Sequence, residues 1–210
     1  MKKRTKEYRN SELFLRNNYE KVGKYQFPLI KKQKIDIDGI KLISYSDTKT
    51  NDNEINMKKG VHFFIDDYRF EGIYNNPYKS LEKLKQYSFV CTPDFSLYQE
   101  MSPWRQIESV AKGRWTGAFW QDQNLIVVPT VSWSNSASFD YCFDGIEKGS
   151  IVAIGMIGAK RNNKRNFLLG YNEMLKRIEP DYIICFGEPF EEMKGNLIII
   201  DYTESRKEVY

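Results

Sequence analysis

The sequence predicts an α/β fold in which a mainly parallel sheet is flanked by helices. Short apolar runs rich in Val, Ile and Phe recur from residue 61 to residue 201, and segments of helical period separate them. Continuous apolar runs are typical of strands that are buried on both faces, as parallel strands covered by helices are. With 210 residues, of which 41% are hydrophobic and 15% aromatic, the chain is long and apolar enough to bury a substantial core.

Six apolar runs are predicted to be strands. They are 61–65 (VHFFI), 88–92 (SFVCT), 125–131 (LIVVPTV), 150–157 (SIVAIGMI), 182–186 (YIICF) and 197–201 (LIIID). Before them, residues 34–46 alternate apolar and polar side chains around an Asp38-Gly39 turn, which indicates extended structure. Residues 1–24 are polar and basic, and we expect them to form an arm or short helix ahead of a single α/β domain over 25–210.

Helices are predicted where apolar residues between the strands recur on one helical face. The predicted faces are Leu81, Leu84 and Tyr87; Trp104, Ile107 and Ala111; and Phe167, Tyr171, Met174, Leu175 and Ile178. Right-handed crossovers through these helices would place the carboxyl ends of the strands at one edge. An open doubly wound sheet is the first expected arrangement, and an incomplete or compact βα barrel is the alternative. The short connection 187–196 also allows an antiparallel last strand.

Composition excludes several classes of protein. The net charge of +4 is too small to identify nucleic acid as the partner by itself. Three widely separated cysteines argue against a disulfide framework or a cysteine zinc site and indicate a reducing cytoplasm. His62 is the only histidine, so the count excludes a metal centre with several histidines. An export signal and a run of about 18 apolar residues are both absent, so we expect no membrane association.

Acidic residues follow three of the predicted strands. They are Asp66 and Asp67, Asp94, and Glu188. Ligands of parallel α/β folds bind beyond the carboxyl ends of the strands, so these four are candidate catalytic residues. Converging carboxylates can also bind Mg²⁺ or Mn²⁺, and Asp66 and Asp94 are the candidate metal ligands. Helix capping or an Asx turn is the structural alternative for the aspartate pair.

The two adjacent aspartates are expected to have different roles. Side chains alternate along a strand, so Asp66 and Asp67 cannot both point into one site if the strand continues through them. We therefore expect one of them to meet Asp94 or Glu188 and the other to cap the loop that follows.

A basic segment after the fourth predicted strand is the candidate phosphate site. In GMIGAKRNNKRN, Gly158, Lys160 and Arg161 precede the most strongly periodic helix of the chain. Backbone N–H groups at a helix start and nearby cations attract phosphate. The segment lacks both the G-K-[ST] ending of a P-loop and the G-x-G-x-x-G fingerprint, and a solvated basic loop explains it equally well.

Tryptophans near the polar strand ends are candidates for stacking on a base or sugar. They are Trp115, Trp120 and Trp133. Burial in the core is the alternative for each of them.

Several phrases of the chain resemble one family. FFIDDYRFEGIYNNP, TPDFSLYQEMS, RWTGAFWQ, VVPTVSW, SFDYCFDGIEKGSIVAI and LGYNEMLKRIEPDYIICFGEPFEEMKGNLI together are similar to the domain of unknown function 4417 family of phages, plasmids and bacteria. The resemblance covers roughly residues 26–203. It implies a role in phage or plasmid replication, or in interference with a host, and it assigns no catalytic residue.

Two functions follow from these observations. The first is an enzyme of a phage or mobile element that acts on a nucleotide or nucleic acid, with metal-dependent phosphoester hydrolysis as the reaction. The second is a non-catalytic module that binds a nucleotide, a nucleic acid or a protein at the same edge of the sheet.

Overall fold

Seven parallel strands form the centre of the computed structural model, which describes residues 5–159 and 164–202. After an antiparallel hairpin of β1 (Lys21–Val22) and β2 (Phe27–Pro28), the parallel strands follow. They are β3 (Leu42–Ser44), β4 (Gly60–His62), β5 (Phe89–Cys91), β6 (Val127–Val128), β7 (Val152–Gly155), β8 (Ile183–Phe186) and β9 (Leu197–Ile200). All six predicted apolar runs therefore coincide with a strand, although each strand is shorter than its run and β4 begins at Gly60, one residue before its run.

The parallel strands are paired in chain order. β3 to β6 form one sheet and β7 to β9 form a second. A parallel bridge between Thr130 and Ala153 joins the second sheet to the first. The antiparallel last strand is a wrong expectation, because β9 pairs parallel to β8 from Leu197 opposite Ile183 to Ile200 opposite Phe186. The ten residues 187–196 are enough for the chain to return to the start of β8 without a helix.

The series of strands curls like an incomplete barrel. Neighbouring strands lie about 4.8 Å apart, so β4 and β8 would be separated by about 19 Å in a flat sheet. Instead Phe64, just after β4, stacks on Phe186 of β8 with ring centroids 5.2 Å apart. Gly155 of β7 permits this contact, because a Cβ there would come within 2.8 Å of the Phe64 ring. Within the described residues β3 and β9 do not pair, so the barrel is not closed.

Helices cover the outside of the strands, as the sequence predicts. The longest are α6 (Pro103–Asp122) and α7 (Lys164–Ile178). The predicted face of α7 is buried at Tyr171, Met174 and Ile178, whereas the predicted face of α6 is wrong, because Trp104 is 65% exposed. The shorter ones are α1 (Lys6–Arg9), α2 (Glu12–Leu15), α3 (Glu54–Met57), α4 (Glu71–Asn75) and α5 (Leu81–Leu84). None of the helices in the described ranges combines the length and the apolar character needed to cross a membrane.

The described part of the basic N-terminal segment packs on α6. Trp115 Nε1 donates a hydrogen bond to Glu12 Oε1 at 2.6 Å, and the Arg16 guanidinium lies 3.5 Å from the centroid of the Trp115 ring. Arg16 Nη2 also donates to the carbonyl of Tyr74 at 2.8 Å. Burial of aromatic and cationic groups against each other fixes this segment to the rest of the fold.

His62 is buried between aromatic rings where β4 ends. Its Nδ1 accepts a hydrogen bond from Phe64 N–H at 3.2 Å, its ring centroid lies 4.5 Å from that of Phe186, and Nε2 has no hydrogen-bond partner among the described residues. Burial lowers the pKa of His62 from 6.5 to about 4. The imidazole is therefore neutral at physiological pH.

We expect His62 to make the fold less stable in acid. Between pH 6.5 and pH 4 the unfolded chain binds a proton at His62 that the folded chain excludes, so this contribution to stability falls as pH falls through that window. A pKa difference of about 2.5 units corresponds to about 3 kcal/mol. Urea unfolding measures the free energy of unfolding of His62→Phe and of the unmodified chain at pH 7 and at pH 4. The value for His62→Phe minus the value for the unmodified chain should be about 3 kcal/mol larger at pH 4 than at pH 7. A difference between the two chains that does not change with pH would contradict this assignment.

Candidate functional site

A cavity of about 620 Å³ opens at the carboxyl ends of β4 to β7. Five of its lining residues are polar or charged groups in the segments that follow these strands. They are Asp66 and Arg69 after β4, Asp94 and Ser96 after β5, and Ser132 after β6. The cavity therefore lies where parallel α/β folds bind their ligands. Its remaining walls include aromatic and aliphatic side chains, among them Phe64, Leu97, Val131, Trp133, Ile154 and Phe167.

Asp94 is the acid whose ionisation the site alters most. Its carboxyl hydrogen-bonds to Ser132 and lines the cavity. Burial raises the pKa of Asp94 to about 7, and the negative charge of Asp67 raises it further, whereas the Ser132 bond and the charge of Arg114 act in the opposite direction. Near neutral pH Asp94 is thus present in both its protonated and its ionised form, which suits a group that donates or accepts a proton.

Asp67 is hydrogen-bonded to Ser96, which lies two residues after Asp94. Its Oδ1 accepts a hydrogen bond from Ser96 Oγ at 2.8 Å, and its Oδ2 accepts one from Ser96 N–H at 3.1 Å. Asp67 begins a 3₁₀ helix, Asp67–Arg69, and is not among the residues that line the cavity. Its carboxylate therefore holds the loop after β5 in place.

Asp66 has a different environment from its neighbour. It occupies the N-cap position of the 3₁₀ helix, lines the cavity and lies 4.0 Å from Arg69 Nε, measured from Oδ2. The structure thus gives the two aspartates different environments, but side-chain alternation along a strand is not the reason. The strand does not persist through them, because β4 ends at His62. Asp66 is the N-cap of the 3₁₀ helix and Asp67 is its first residue, and their carboxylates have different partners.

Glu188 lies apart from the other acids. It is exposed after β8 and is not among the lining residues of the cavity. Phe64 stacks on Phe186 of β8, and the cavity is lined by residues that follow β3 to β7 and by none of the described residues after β8. The structure therefore brings Asp66 and Asp94 to one cavity and leaves Glu188 outside it.

The predicted phosphate segment borders the cavity on its other side. Gly158, Ala159 and Asn166 line it, and α7 begins at Lys164. Lys160 and Arg161 lie outside the described residues. The amino end of a 15-residue helix therefore adjoins the cavity, and its dipole favours a negative group there.

Only one of the three candidate stacking tryptophans lines the cavity. Trp133 does so, with its ring centroid 4.9 Å from that of Phe167 and its indole packed against Gly170 of α7. Trp115 and Trp120 are 2% and 0% exposed in the core. Their side chains pack on other aromatic rings of the fold, as the core alternative for these residues predicts.

Some lining residues were not predicted as part of a site. Tyr98 and Gln99, in the loop after β5, are examples, and Phe64 and Phe167 are others. Ser132, whose position after LIVVPTV marks it as a polar residue at a predicted strand end, lines the cavity and carries the hydrogen bond to Asp94.

The described residues provide a limited set of metal ligands. No three His, Cys, Asp or Glu side chains converge within residues 5–159 and 164–202 in a way that could hold a metal ion. Mg²⁺ in phosphate sites commonly binds one or two carboxylates together with substrate phosphate and water. Asp66 and Asp94 could supply those two carboxylates once a phosphate is bound.

Comparison with known proteins gives a family and two phage relatives. A family model described as a domain of unknown function (DUF4417) matches residues 19–203. The chain is similar to Gene 1 protein of Mycobacterium phage L5, with 34% identity over 178 residues that cover 84% of this chain and 77% of that protein. It is also similar to Gene 1 protein of Mycobacterium phage D29, with 38% identity over 129 residues that cover 60% of this chain and 48% of that protein. No solved structure matches the chain.

Proposed function

The chain belongs to the domain of unknown function 4417 family, and from its cavity we propose that it binds a phosphate-containing ligand of nucleotide size and transfers a proton to or from it through Asp94. The observation that carries this proposal is the position of Asp94, which lines a cavity of about 620 Å³ at the carboxyl ends of four parallel strands. Small-molecule sites commonly have volumes of about 300–1,000 Å³ and combine apolar walls with a few polar groups.

Two features support a phosphate group on the ligand. The amino end of α7 adjoins the cavity, and Arg69 lines the opposite wall. The sequence adds Lys160 and Arg161 immediately before that helix. Helix amino ends and guanidinium groups both stabilise phosphate oxygens.

Asp94 can act on a phosphoester in either of its ionisation states. As a carboxylate it accepts a proton from an attacking water, and as a carboxylic acid it donates a proton to the leaving oxygen. Ser132 orients the carboxyl in both cases through its hydrogen bond. In a reaction that uses Mg²⁺ or Mn²⁺, Asp66 and ionised Asp94 would instead hold the ion, which would stabilise negative charge on the phosphate, and the proton would then pass to water rather than to Asp94.

The test is a binding panel with matched variants. Thermal unfolding is followed with inorganic phosphate, 5′-mononucleotides and nucleoside triphosphates, each with and without Mg²⁺ or Mn²⁺. A ligand at 100 times its Kd adds about 2.7 kcal/mol of stability, so binding should raise Tm by several degrees. Arg69→Gln should reduce this shift, and Arg105→Gln, which changes an arginine outside the lining of the cavity, should leave it intact. The absence of a shift with every compound would overturn the proposal.

The second candidate function is a non-catalytic nucleotide-binding or nucleic-acid-binding module in phage replication or host interference. It is favoured by the aromatic and aliphatic walls of the cavity, among them Phe64, Trp133 and Phe167, which can hold a base by packing alone. The same panel distinguishes the two functions. Release of phosphate that Asp94→Asn abolishes supports the enzyme, whereas ligand binding without turnover at any metal concentration supports the binding module.

A further inference from the structure

Two exposed tyrosines flank an arginine at the mouth of the cavity. Tyr68 is 72% exposed and Tyr98 is 61% exposed. Tyr98 and Arg69 both line the cavity, and the Arg69 guanidinium lies 5.4 Å from the centroid of the Tyr68 ring. We call Tyr68, Arg69 and Tyr98 the mouth residues. Their rings and guanidinium are available to a ligand that extends out of the cavity.

Hydrogen bonds from the buried side chain of Gln106 fix the backbone at Tyr98. Gln106 is 4% exposed, and its Nε2 donates hydrogen bonds to the carbonyls of Tyr98 at 3.1 Å and Met101 at 2.9 Å. Its Oε1 accepts a hydrogen bond from Ser134 Oγ, a residue of the opposite cavity wall, at 2.6 Å. An exposed aromatic ring on a fixed backbone binds a partner at a lower cost in conformational entropy.

Hydrogen bonds of Ser96 link Tyr98 to the residue that precedes Tyr68. Tyr98 Oη lies 3.1 Å from Ser96 Oγ, and the Ser96 hydroxyl and amide both donate to Asp67, which directly precedes Tyr68. The ion pair of Arg69 with Asp66 is long, at 4.0 Å, and its side chains are 47% and 73% exposed. Such a pair is weak in water, so Arg69 can turn towards a phosphate at little cost.

We propose that the ligand is a single-stranded nucleic acid, with one nucleotide in the cavity, the base of a neighbouring nucleotide stacked on Tyr98 or Tyr68, and the linking phosphate on Arg69. This inference rests on the proposed function, because it assumes that the cavity accepts a nucleotide. Every base presents a flat face to an aromatic ring, so the mouth residues should tolerate different sequences. Stacking contributes about 1–3 kcal/mol per base, which corresponds to an affinity gain of at least about fivefold.

The test compares a mononucleotide with short single strands. The affinities of 5′-thymidylate and of 5′-phosphorylated thymidine dimers and tetramers, and of the matching uridine compounds, are measured by titration calorimetry at one salt concentration. We expect a dimer or tetramer to bind at least about fivefold more tightly than the mononucleotide. Tyr98→Ala combined with Tyr68→Ala should remove that gain, so that for this variant the ratio of oligomer affinity to mononucleotide affinity falls to about one.

Tyr78→Ala is the matched control, because Tyr78 is 54% exposed and does not line the cavity. It should leave the gain intact. Oligomers that bind no more tightly than the mononucleotide would overturn this inference while the proposed function stands, as would a gain that the double variant does not alter. Failure of the mononucleotide and the oligomers alike to bind would overturn both. All variants are first compared by circular dichroism, since exposed side chains should be replaceable without loss of fold.

Discussion

Replacing Asp94 by Asn should raise the free energy of unfolding at pH 8 by up to about 4 kcal/mol. The folded chain raises the pKa of Asp94 from 3.8 to about 7, mainly by burial, and a shift of about 3 units corresponds to that energy. Between these two values the folded chain binds more protons at Asp94 than the unfolded chain does. The contribution of Asp94 to stability therefore falls as pH rises from about 4 to 7, and the full penalty is present at pH 8.

Asn removes the ionisation and keeps a side-chain amide that can hydrogen-bond to Ser132. Below about pH 4 the carboxyl is protonated in both the folded and the unfolded chain, so the gain should vanish there. Urea unfolding of Asp94→Asn and of the unmodified chain at pH 4, 6 and 8 measures this gain in the free energy of unfolding. Asp38→Asn, the same chemical change at an exposed turn, should stay within about 0.5 kcal/mol of the unmodified chain at each pH. A gain from Asp94→Asn that is equal at pH 4 and pH 8 would show that burial of the charge is not its cause.

A residue that destabilises the fold when it is charged needs another reason to be there. Catalytic and binding sites often retain such groups at a cost in stability. Stabilisation of the chain by Asp94→Asn, together with loss of turnover or binding, would therefore connect the altered pKa to function. Loss of function alone would not distinguish a role in the site from damage to the fold.

His62 and Asp94 act in opposite directions over the same range of pH. As pH falls from 6.5 to 4, the fold loses stability at His62 and gains it at Asp94. The contributions of His62 and Asp94 to the stability of the unmodified chain should thus largely cancel across this range. The single variants His62→Phe and Asp94→Asn are needed to reveal the two slopes.

The sequence predicts the strands better than it predicts how they curl. An apolar run such as YIICF identifies β8 by its composition, because a strand buried on both faces has no polar side. The curl depends on which rings meet across the interior, for example Phe64 on Phe186. Contacts between residues more than 100 positions apart leave no local pattern. For this reason the position of Glu188 outside the cavity could not be predicted.

The tryptophans show a second limit of reading a site from proximity in sequence. Trp115 and Trp120 follow the loop after β5, but they belong to α6, which begins at Pro103 beside the cavity. With a rise of 1.5 Å per residue, Trp115 lies about 18 Å along that helix. From residue 106 to residue 120 this helix is buried on most sides. Its sequence therefore has no continuous polar face from which the directions of Trp115 and Trp120 could be predicted.

Several of the predicted site residues line the cavity because they follow parallel strands. Asp66, Asp94 and Gly158 each follow a parallel strand, and all three line the cavity. The rule that carboxyl ends of parallel strands meet at one edge is therefore enough to locate the cavity. It does not distinguish Asp66 from Asp67, because that difference depends on where β4 ends and on the bond between Asp67 and Ser96.

Arg114 connects this edge of the sheet to α6. The side chain is 4% exposed, and its guanidinium donates three hydrogen bonds to backbone carbonyls, from Nε to Asp144 at 2.8 Å, from Nη1 to Thr130 at 3.2 Å and from Nη2 to Cys142 at 2.7 Å. Burial lowers the pKa of Arg114 to about 10, which leaves it charged at neutral pH. Thr130 lies two residues before Ser132, so Arg114 supports the strand end that orients Asp94.

Arg114→Met should lower the free energy of unfolding by about 4 kcal/mol. Methionine fills much of the space but leaves three buried carbonyls without their donor, and each such group costs about 1–3 kcal/mol. Arg114→Lys should cost about 2 kcal/mol, because one ammonium keeps the charge but cannot reach three diverging carbonyls. Arg105→Met on the same helix, where a surface ion pair with Glu108 is lost, should change stability by less than about 1 kcal/mol. If Arg114→Met and Arg105→Met have equal effects in urea unfolding, the three carbonyl bonds do not stabilise this edge of the sheet.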